Sequence, residues 1–245
     1  MKTQPKTVVI TGASSGIGLA LAGAFLARGD HVVGNARNAE RLQQAAQSLG
    51  SPDNFIGVAG DVADPAVGEA LVQRAVERFG QVDVLVNNAG IFVPKAFVDY
   101  TPQDVEALVN TNLLGFVYPS QAAARHMIGR KSGRIINITA SIALQPNQAV
   151  AALLPVLIKG GINQATKALA LELAPHNIQV NAVAPGIVDT PMYTPDLHGF
   201  LNTLQPAGRI ATTQEIADAV LYLSDAAFTT GIVLPVDGGM SSGKW

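Results

Sequence analysis

The sequence contains no cysteine, which excludes disulfides and thiolate metal ligands and fits a reducing, cytoplasmic setting. Charge is scarce too: Asp, Glu, Lys and Arg together make up 14% of the chain, with a formal net charge of −2. That balance gives no electrostatic reason to expect nucleic acid or an anionic membrane as partner. No run of about 18 apolar residues is present, so no membrane span is expected. The opening "MKTQPKTVVI" lacks an apolar stretch of signal-peptide length. None of the four histidines stands at a metal-ligand spacing, so no metal site is expected. No Pro/Ser-rich linker, charge run, repeat or low-complexity segment divides the 245 residues, and one domain spanning 1–245 is the expectation. What the chain does have in quantity is small residues, as suits a sheet covered on both faces.

Short β-branched runs alternate with longer helical patterns. Strands are expected at 7–11, 31–36, 54–60, 82–88, 133–139, 178–185 and 231–238. Helices are expected from "GIGLALAGAFLARG", "AERLQQAAQSLG", "PAVGEALVQRAVERFG", the long stretch 102–129, "KGGINQATKALALELA" beginning at Lys159, and "TQEIADAVLYLSD". Near-continuous apolar strands separated by helices predict an α/β fold with a doubly wound parallel sheet of about seven strands and helices on both faces.

The first strand runs directly into "TGASSGIG", in which Gly12, Gly16 and Gly18 open the first helix. Glycines there let the backbone turn sharply and come close to a ligand, while unpaired amides and the helix dipole attract phosphate. Placed after strand one in a βαβ unit, the loop Gly12, Ser14, Ser15, Gly16, Ile17, Gly18 predicts a dinucleotide site. The letters "GASSG" also satisfy the nucleophile-elbow pattern, with Ser14 as a hydrolase nucleophile. Only ten residues of chain precede that strand-to-helix turn, which leaves no earlier strand to supply an oxyanion loop. At the end of strand two, where a carboxylate would hold a ribose 2′-hydroxyl, stand Ala36 and then Arg37. A guanidinium with no acid beside it favours the 2′-phosphate of NADP over NAD, with NAD still possible. Asp30, in the turn before the strand, reads as structural.

These marks, together with "GDV" around Asp61, "NNAG" at 87–90, "NTNLLG" with Asn112, "GRIINIT", Lys159, "VNAVAPGIVDTPM" at 180–192 and "PVDGG", resemble the short-chain dehydrogenase/reductase family over essentially the whole chain. The resemblance implies a Rossmann-type NAD(P)-binding domain that moves hydride between nicotinamide and a carbonyl or alcohol carbon. It places Asp61 and Val62 at the adenine, Asn88, Ala89 and Gly90 along the nucleotide, and Pro185, Gly186, Ile187 and Thr190 at the nicotinamide. Asp61 and Asn88 also suit a second task, bonding backbone amides at strand ends. The resemblance further implies a homotetramer or dimer, with the helices around 101–128 and 155–174 between subunits.

The family's chemistry uses a Ser, a Tyr and a Lys as Y-x-x-x-K, with an Asn completing the proton path, here Asn112. Residues four apart share a helix face, so the lysine's charge favours the phenolate. In "AALLPVLIKGG" the lysine is Lys159, but four places earlier stands Pro155. No tyrosine occurs between Tyr118 and Tyr193. The serine is best matched by Ser141, with Thr139 nearby, and the departures from 139 to 158 point to a reshaped loop. Lys159 has three readings: a snorkelling surface lysine, a hydrogen-bond donor to the nicotinamide ribose, or a desolvated nucleophilic amine. Tyr193 and His198, in the segment that forms a lid in relatives, are candidate proton donors, as are Ser141 or Thr139 with a water. A pocket near Leu153, Leu154, Val156, Ile187, Met192 and Phe200 is expected to be apolar and to suit a hydrophobic carbonyl compound. The functional expectation is an NADP-dependent oxidoreductase with an altered proton relay, and the alternative is a non-catalytic NADP-binding sensor or subunit.

Overall fold

The computed structural model describes residues 4–243. Its strands are β1 (Thr7–Ile10), β2 (His31–Ala36), β3 (Phe55–Ala59), β4 (Val84–Asn87), β5 (Gly133–Ile138), β6 (Ile178–Pro185) and β7 (Val233–Val236). All pair in parallel, in the order β3-β2-β1-β4-β5-β6-β7. The expected strands are all present, and β2 and β6 match to the residue. The others are shorter at their ends, most of all β7, where the flanking glycines and Asp237 belong to turns.

Side-chain alternation along the strands builds two cores. Val8, Ile10, Val84 and Val86 face helices α1 (Gly16–Ala27) and α8 (Thr213–Asp225), packing on Leu21, Phe25, Ile216 and Val220. Val9, Leu85, Ile135 and Val180 face the opposite way, onto α3 (Pro65–Phe79), α5 (Gly115–Arg130) and α6 (Leu153–Leu173) through Leu71, Met127 and Leu173. Burial on both faces explains why the strands read as apolar runs and not as alternating ones. The remaining helices are α2 (Ala39–Ser48), α4 (Pro102–Leu108) and the short α7 (His198–Asn202). Helix starts are set locally: Asp64 caps α3 ahead of Pro65, and Thr212 with Glu215 forms a capping box on α8.

Two expected helices are corrected. The single pattern over 102–129 is broken by a π-helical stretch, Val109–Leu114, between α4 and α5. There Asn112 turns inward and bonds both backbone groups of Ile91 at 2.9 and 3.0 Å. The helix expected to begin at Lys159 begins at Leu153. Pro155 sits in its first turn, where an N–H has no intrahelical acceptor to lose.

The sheet order places the site. The chain runs outward from β1 through β2 to β3 and then returns to β4 on the other side of β1. Loops leaving β1 and β4 therefore diverge at the carboxyl edge, opening a crevice at this switch point. Among the described residues, no helix is long and apolar enough to cross a membrane. None of their His, Asp and Glu side chains group into a cluster able to hold a metal.

Candidate active site

A cavity of about 1180 Å³ runs along the carboxyl ends of the strands. It brings together nearly all the residues singled out in the sequence: Gly12, Ser14, Ser15, Gly16 and Ile17 after β1; Arg37 after β2; Asp61 and Val62 after β3. Asn88, Ala89 and Gly90 follow β4, and Ser141, Lys159, Pro185, Gly186, Ile187 and Thr190 complete the wall. Gly18 and Asn112 are not on the surface of this cavity; each supports it from behind.

At the phosphate end the loop is braced by β4. Asn88 donates from Nδ2 to the carbonyls of Thr11 and Gly12 at 2.9 and 3.2 Å. The Thr11 hydroxyl accepts from the amides of Asn88 and Ala89, both at 3.0 Å. Gly12 has φ +68, a backbone state that a side chain disfavours. Gly18 has no room for a side chain: a Cβ would stand 2.1 Å from the Gly12 carbonyl oxygen and 2.6 Å from Asn88 Nδ2. Ser15 is the N-cap of α1, yet its side chain makes no capping bond. The first-turn amides thus lack a side-chain partner and open toward the cavity, the usual arrangement for an anion.

At the outer end, Asn38 caps α2 by accepting from the Arg41 amide at 3.0 Å. That cap sets Arg41 beside Arg37 on the cavity wall. Among the described residues neither guanidinium has a carboxylate within ion-pair distance. Asp30 plays the structural part expected, taken up by the Lys6 amide at 2.8 Å and by Arg28 at 2.6 Å. Asp61 accepts from the Ala63 amide at 2.9 Å, so a turn role and a place on the wall coexist.

At the inner end, Lys159 and Pro155 lie one turn apart on the α6 face that lines the cavity. Lys159 Nζ donates to the Ile138 carbonyl at 2.8 Å. It lies 3.5 Å from where a Cβ on Gly90 would stand. No acid pairs with it, and burial pulls its pKa from 10.5 down to about 8. Pro155, Ile142, Ala149, Val150 and Ala151 line the same cavity, and none of them carries a side-chain proton donor. Ser141 is buried, its hydroxyl aimed at the Met240 thioether 3.7 Å away. Thr139 donates to the Val183 carbonyl at 3.3 Å. Tyr193 reaches the cavity from the segment after β6, and burial pushes its phenol above the ordinary value.

Two expectations need correction. Leu153, Leu154 and Val156 do not line the cavity: Leu153 is exposed and Leu154 packs with Leu108 and Phe116, because positions next to Pro155 project from other faces of α6. Ile187, Met192 and Phe200 do line it. His198 turns from the cavity toward Asp189, its Nε2 3.6 Å from the carboxylate. Residues not anticipated from the sequence include Thr11, Arg41 and Gln205. Arg41 is visible there as the residue four past Arg37. Gln205 is buried and latches the loop after β6, bonding both backbone groups of Ile187 at 3.2 Å and the Arg209 carbonyl at 2.8 Å. No local pattern marks it.

The Lys159 shift carries a signed consequence. A lysine that loses its proton more readily when folded penalises the native state wherever it is charged. The penalty is fully present below pH 8 and fades as pH rises from about 8 toward 10.5. Lys159→Met is therefore expected to raise stability at pH 7 by on the order of 2 kcal/mol, given partial hydration of the ammonium. The gain shrinks by pH 10, and urea unfolding midpoints at the two pH values check it.

The chain matches the sequence model described as short chain dehydrogenase over residues 6–198. It is 36% identical over 245 residues to the 3-oxoacyl-[acyl-carrier-protein] reductase FabG of Escherichia coli (strain K12), covering 98% of this chain and 99% of that protein. It is 34% identical over 251 residues to the 2-(R)-hydroxypropyl-CoM dehydrogenase of Xanthobacter autotrophicus, covering 97% and 99%. Among solved structures, ElxO with NADP bound superposes with a TM-score of 0.92 at 31% identity, over 98% of this chain and 100% of that one.

Proposed function

The chain belongs to the short-chain dehydrogenase family, and from that premise we propose that it is an NADP(H)-dependent oxidoreductase acting on an apolar carbonyl or alcohol, with an altered proton relay. The observation that carries the reading is one continuous cavity with unpartnered helix amides at one end, two guanidiniums without carboxylates at the outer edge, and a solitary ammonium at the inner one. The residues fit the cofactor: Gly18 and the Asn88 brace leave the backbone bare where a pyrophosphate needs close approach. Gly12, Ser14, Ser15, Gly16 and Ile17 would hold the pyrophosphate, Asp61 and Val62 the adenine. Asn88, Ala89 and Gly90 would flank the nucleotide, and Pro185, Gly186, Ile187 and Thr190 the nicotinamide. When bound, the cofactor supplies or accepts the hydride.

This chain's own residues do the positioning. Lys159 presents donors toward the ribose hydroxyls, Ser141 offers a hydroxyl to the substrate oxygen, and Asn112 holds the Ile91 backbone that shapes the wall. The apolar lining of Ile142, Val150, Ile187, Met192 and Phe200 suits a hydrophobic carbonyl compound. Arg37 and Arg41 receive the 2′-phosphate. Replacing Arg37 by Glu with Arg41→Ala is expected to weaken NADPH by roughly 10- to 100-fold, because two charge-assisted hydrogen bonds to the phosphate disappear and a carboxylate repels it, with little change for NADH. Titration of both reduced nucleotides measures this.

Pro155 favours a second reading, a nucleotide-binding sensor or subunit without turnover. Transfer of deuterium from 4-deuterated NADPH to a panel of ketones separates the two: label in the product alcohol supports the enzyme, and binding with no label supports the sensor. We also propose a homotetramer or dimer, supported by the exposed apolar side chains of Leu157, Leu171 and Phe228, and a cytoplasmic setting, supported by the lack of cysteine.

A further inference from the structure

We infer that Tyr193 is the proton donor that replaces the missing phenol, reaching the substrate oxygen from the segment after β6 instead of from α6. The inference rests on the oxidoreductase reading above.

The hydroxyls and amines that line the cavity differ in what already holds them. Thr139 gives its proton to the Val183 carbonyl, and Ser141, buried beside the Met240 thioether, is assigned to hydrogen-bond the substrate oxygen without giving up its proton. Lys95, the other lysine on the wall, is held by Asp104 at 2.6 Å. Lys159 gives a proton to Ile138 and is assigned to the cofactor ribose. Tyr193 lines the same wall, and among the described residues its hydroxyl has no hydrogen-bond partner. The Tyr193 oxygen is not among the buried unpartnered atoms, so it stays open to water, and a substrate oxygen entering the cavity can take that water's place.

The backbone holds the residue in place. Ile187 and Asp189 are stitched to Ala211 by two hydrogen bonds, 2.9 and 2.8 Å. Thr190 packs over the phosphate loop, 3.4 Å from where a Cβ on Gly16 would stand. The Tyr193 amide then closes a turn on the Thr190 carbonyl at 3.0 Å. From this segment Tyr193 lines the cavity, as do Met192, Phe200 and Leu201.

The step balances. Where a bound reduced nicotinamide would supply hydride to the carbonyl carbon, the Tyr193 O–H bond would break and its proton would go to the carbonyl oxygen. The phenolate recovers a proton from solvent at the cavity mouth. Because burial opposes the phenolate, the residue stays protonated through the neutral range. It is then a steady acid for reduction and a scarce base for oxidation. The enzyme is expected to favour ketone reduction at neutral pH.

The test is Tyr193→Phe, read three ways. NADPH affinity, measured by fluorescence, should be unchanged, which also verifies that the variant folds. Affinity of the nucleotide-free protein for a non-reacting alcohol analogue should fall by about 3- to 10-fold, one neutral hydrogen bond's worth. The kcat for label transfer from 4-deuterated NADPH should fall by about 10²- to 10⁴-fold with loss of the solvent deuterium isotope effect. If wild type transfers label and Tyr193→Phe matches it in rate and alcohol affinity, the assignment is overturned while the oxidoreductase reading stands. If wild type transfers no label to any carbonyl, both are overturned.

Discussion

Gly18→Ala should lower NADPH affinity by more than about 100-fold while leaving a folded chain, because the added methyl has nowhere to go. Its carbon would sit 2.1 Å from a backbone oxygen and 2.6 Å from the amide nitrogen of Asn88. The first is backbone, and the second, although the end of a side chain, is tied down by two hydrogen bonds. The Gly12 carbonyl is fixed by the strand that ends at Ile10 and by the Asn88 bond, and Asn88 is itself bound to Thr11. Relief requires α1 to move away from the loop, which removes its first-turn amides from the position a pyrophosphate would occupy. Strain of this kind belongs to the few mechanisms that produce large effects from one methyl group. Most of the loss should appear in binding, since Leu21 and Phe25 still anchor the far side of α1 to the sheet. Calorimetric titration, with circular dichroism to verify folding, measures it. Near-wild-type affinity would show that the pyrophosphate does not lie on α1.

How far the sequence reveals this molecule depends on whether a feature is local. The strand 178–185 is readable to the residue because all eight positions are buried, leaving no polar interruption to blur its ends. The phosphate loop is equally legible: its glycine spacing records where backbone meets backbone, and Gly18 shows why. The α6 start is misread because Leu153, Leu154, Val156 and Leu157 give no polar boundary that would mark where the helix begins, and a first-turn proline is compatible with either start. The π-helical stretch at Val109–Leu114 is invisible, since it depends on Asn112 bonding Ile91, 21 residues away in sequence. Gln205 escapes for the same reason: its partners lie across a loop. The orientation of the lid residues also needs coordinates. Tyr193 and His198 are equal candidates in the sequence, and only the fold turns one to the cavity and the other to Asp189.

The second large effect runs in the opposite direction. Installing a phenol by Pro155→Tyr in a Tyr193→Phe background should raise kcat for ketone reduction by roughly 10²-fold or more, within the range general acids supply. Position 155 shares the cavity-lining face of α6 with Lys159 one turn later, so the ammonium would stand near enough to the new hydroxyl to act on its ionisation. Pro155 lines the cavity, which at about 1180 Å³ has room for a ring extending into it. Giving up proline should cost about 0.4–1 kcal/mol through the freer unfolded chain, and the restored N–H falls among the helix's first unpaired amides, where it disturbs no bond. Lys159 should then favour the phenolate, so alcohol oxidation gains its alkaline limb at a lower pH than in the parent. Adding Lys159→Met should erase both the rate gain and that displacement. Steady-state rates across pH for the three variants check the sequence of effects. A Pro155→Tyr protein that binds NADPH normally and gains no rate would mean that the lack of a phenol at 155 is not what limits proton transfer in this site.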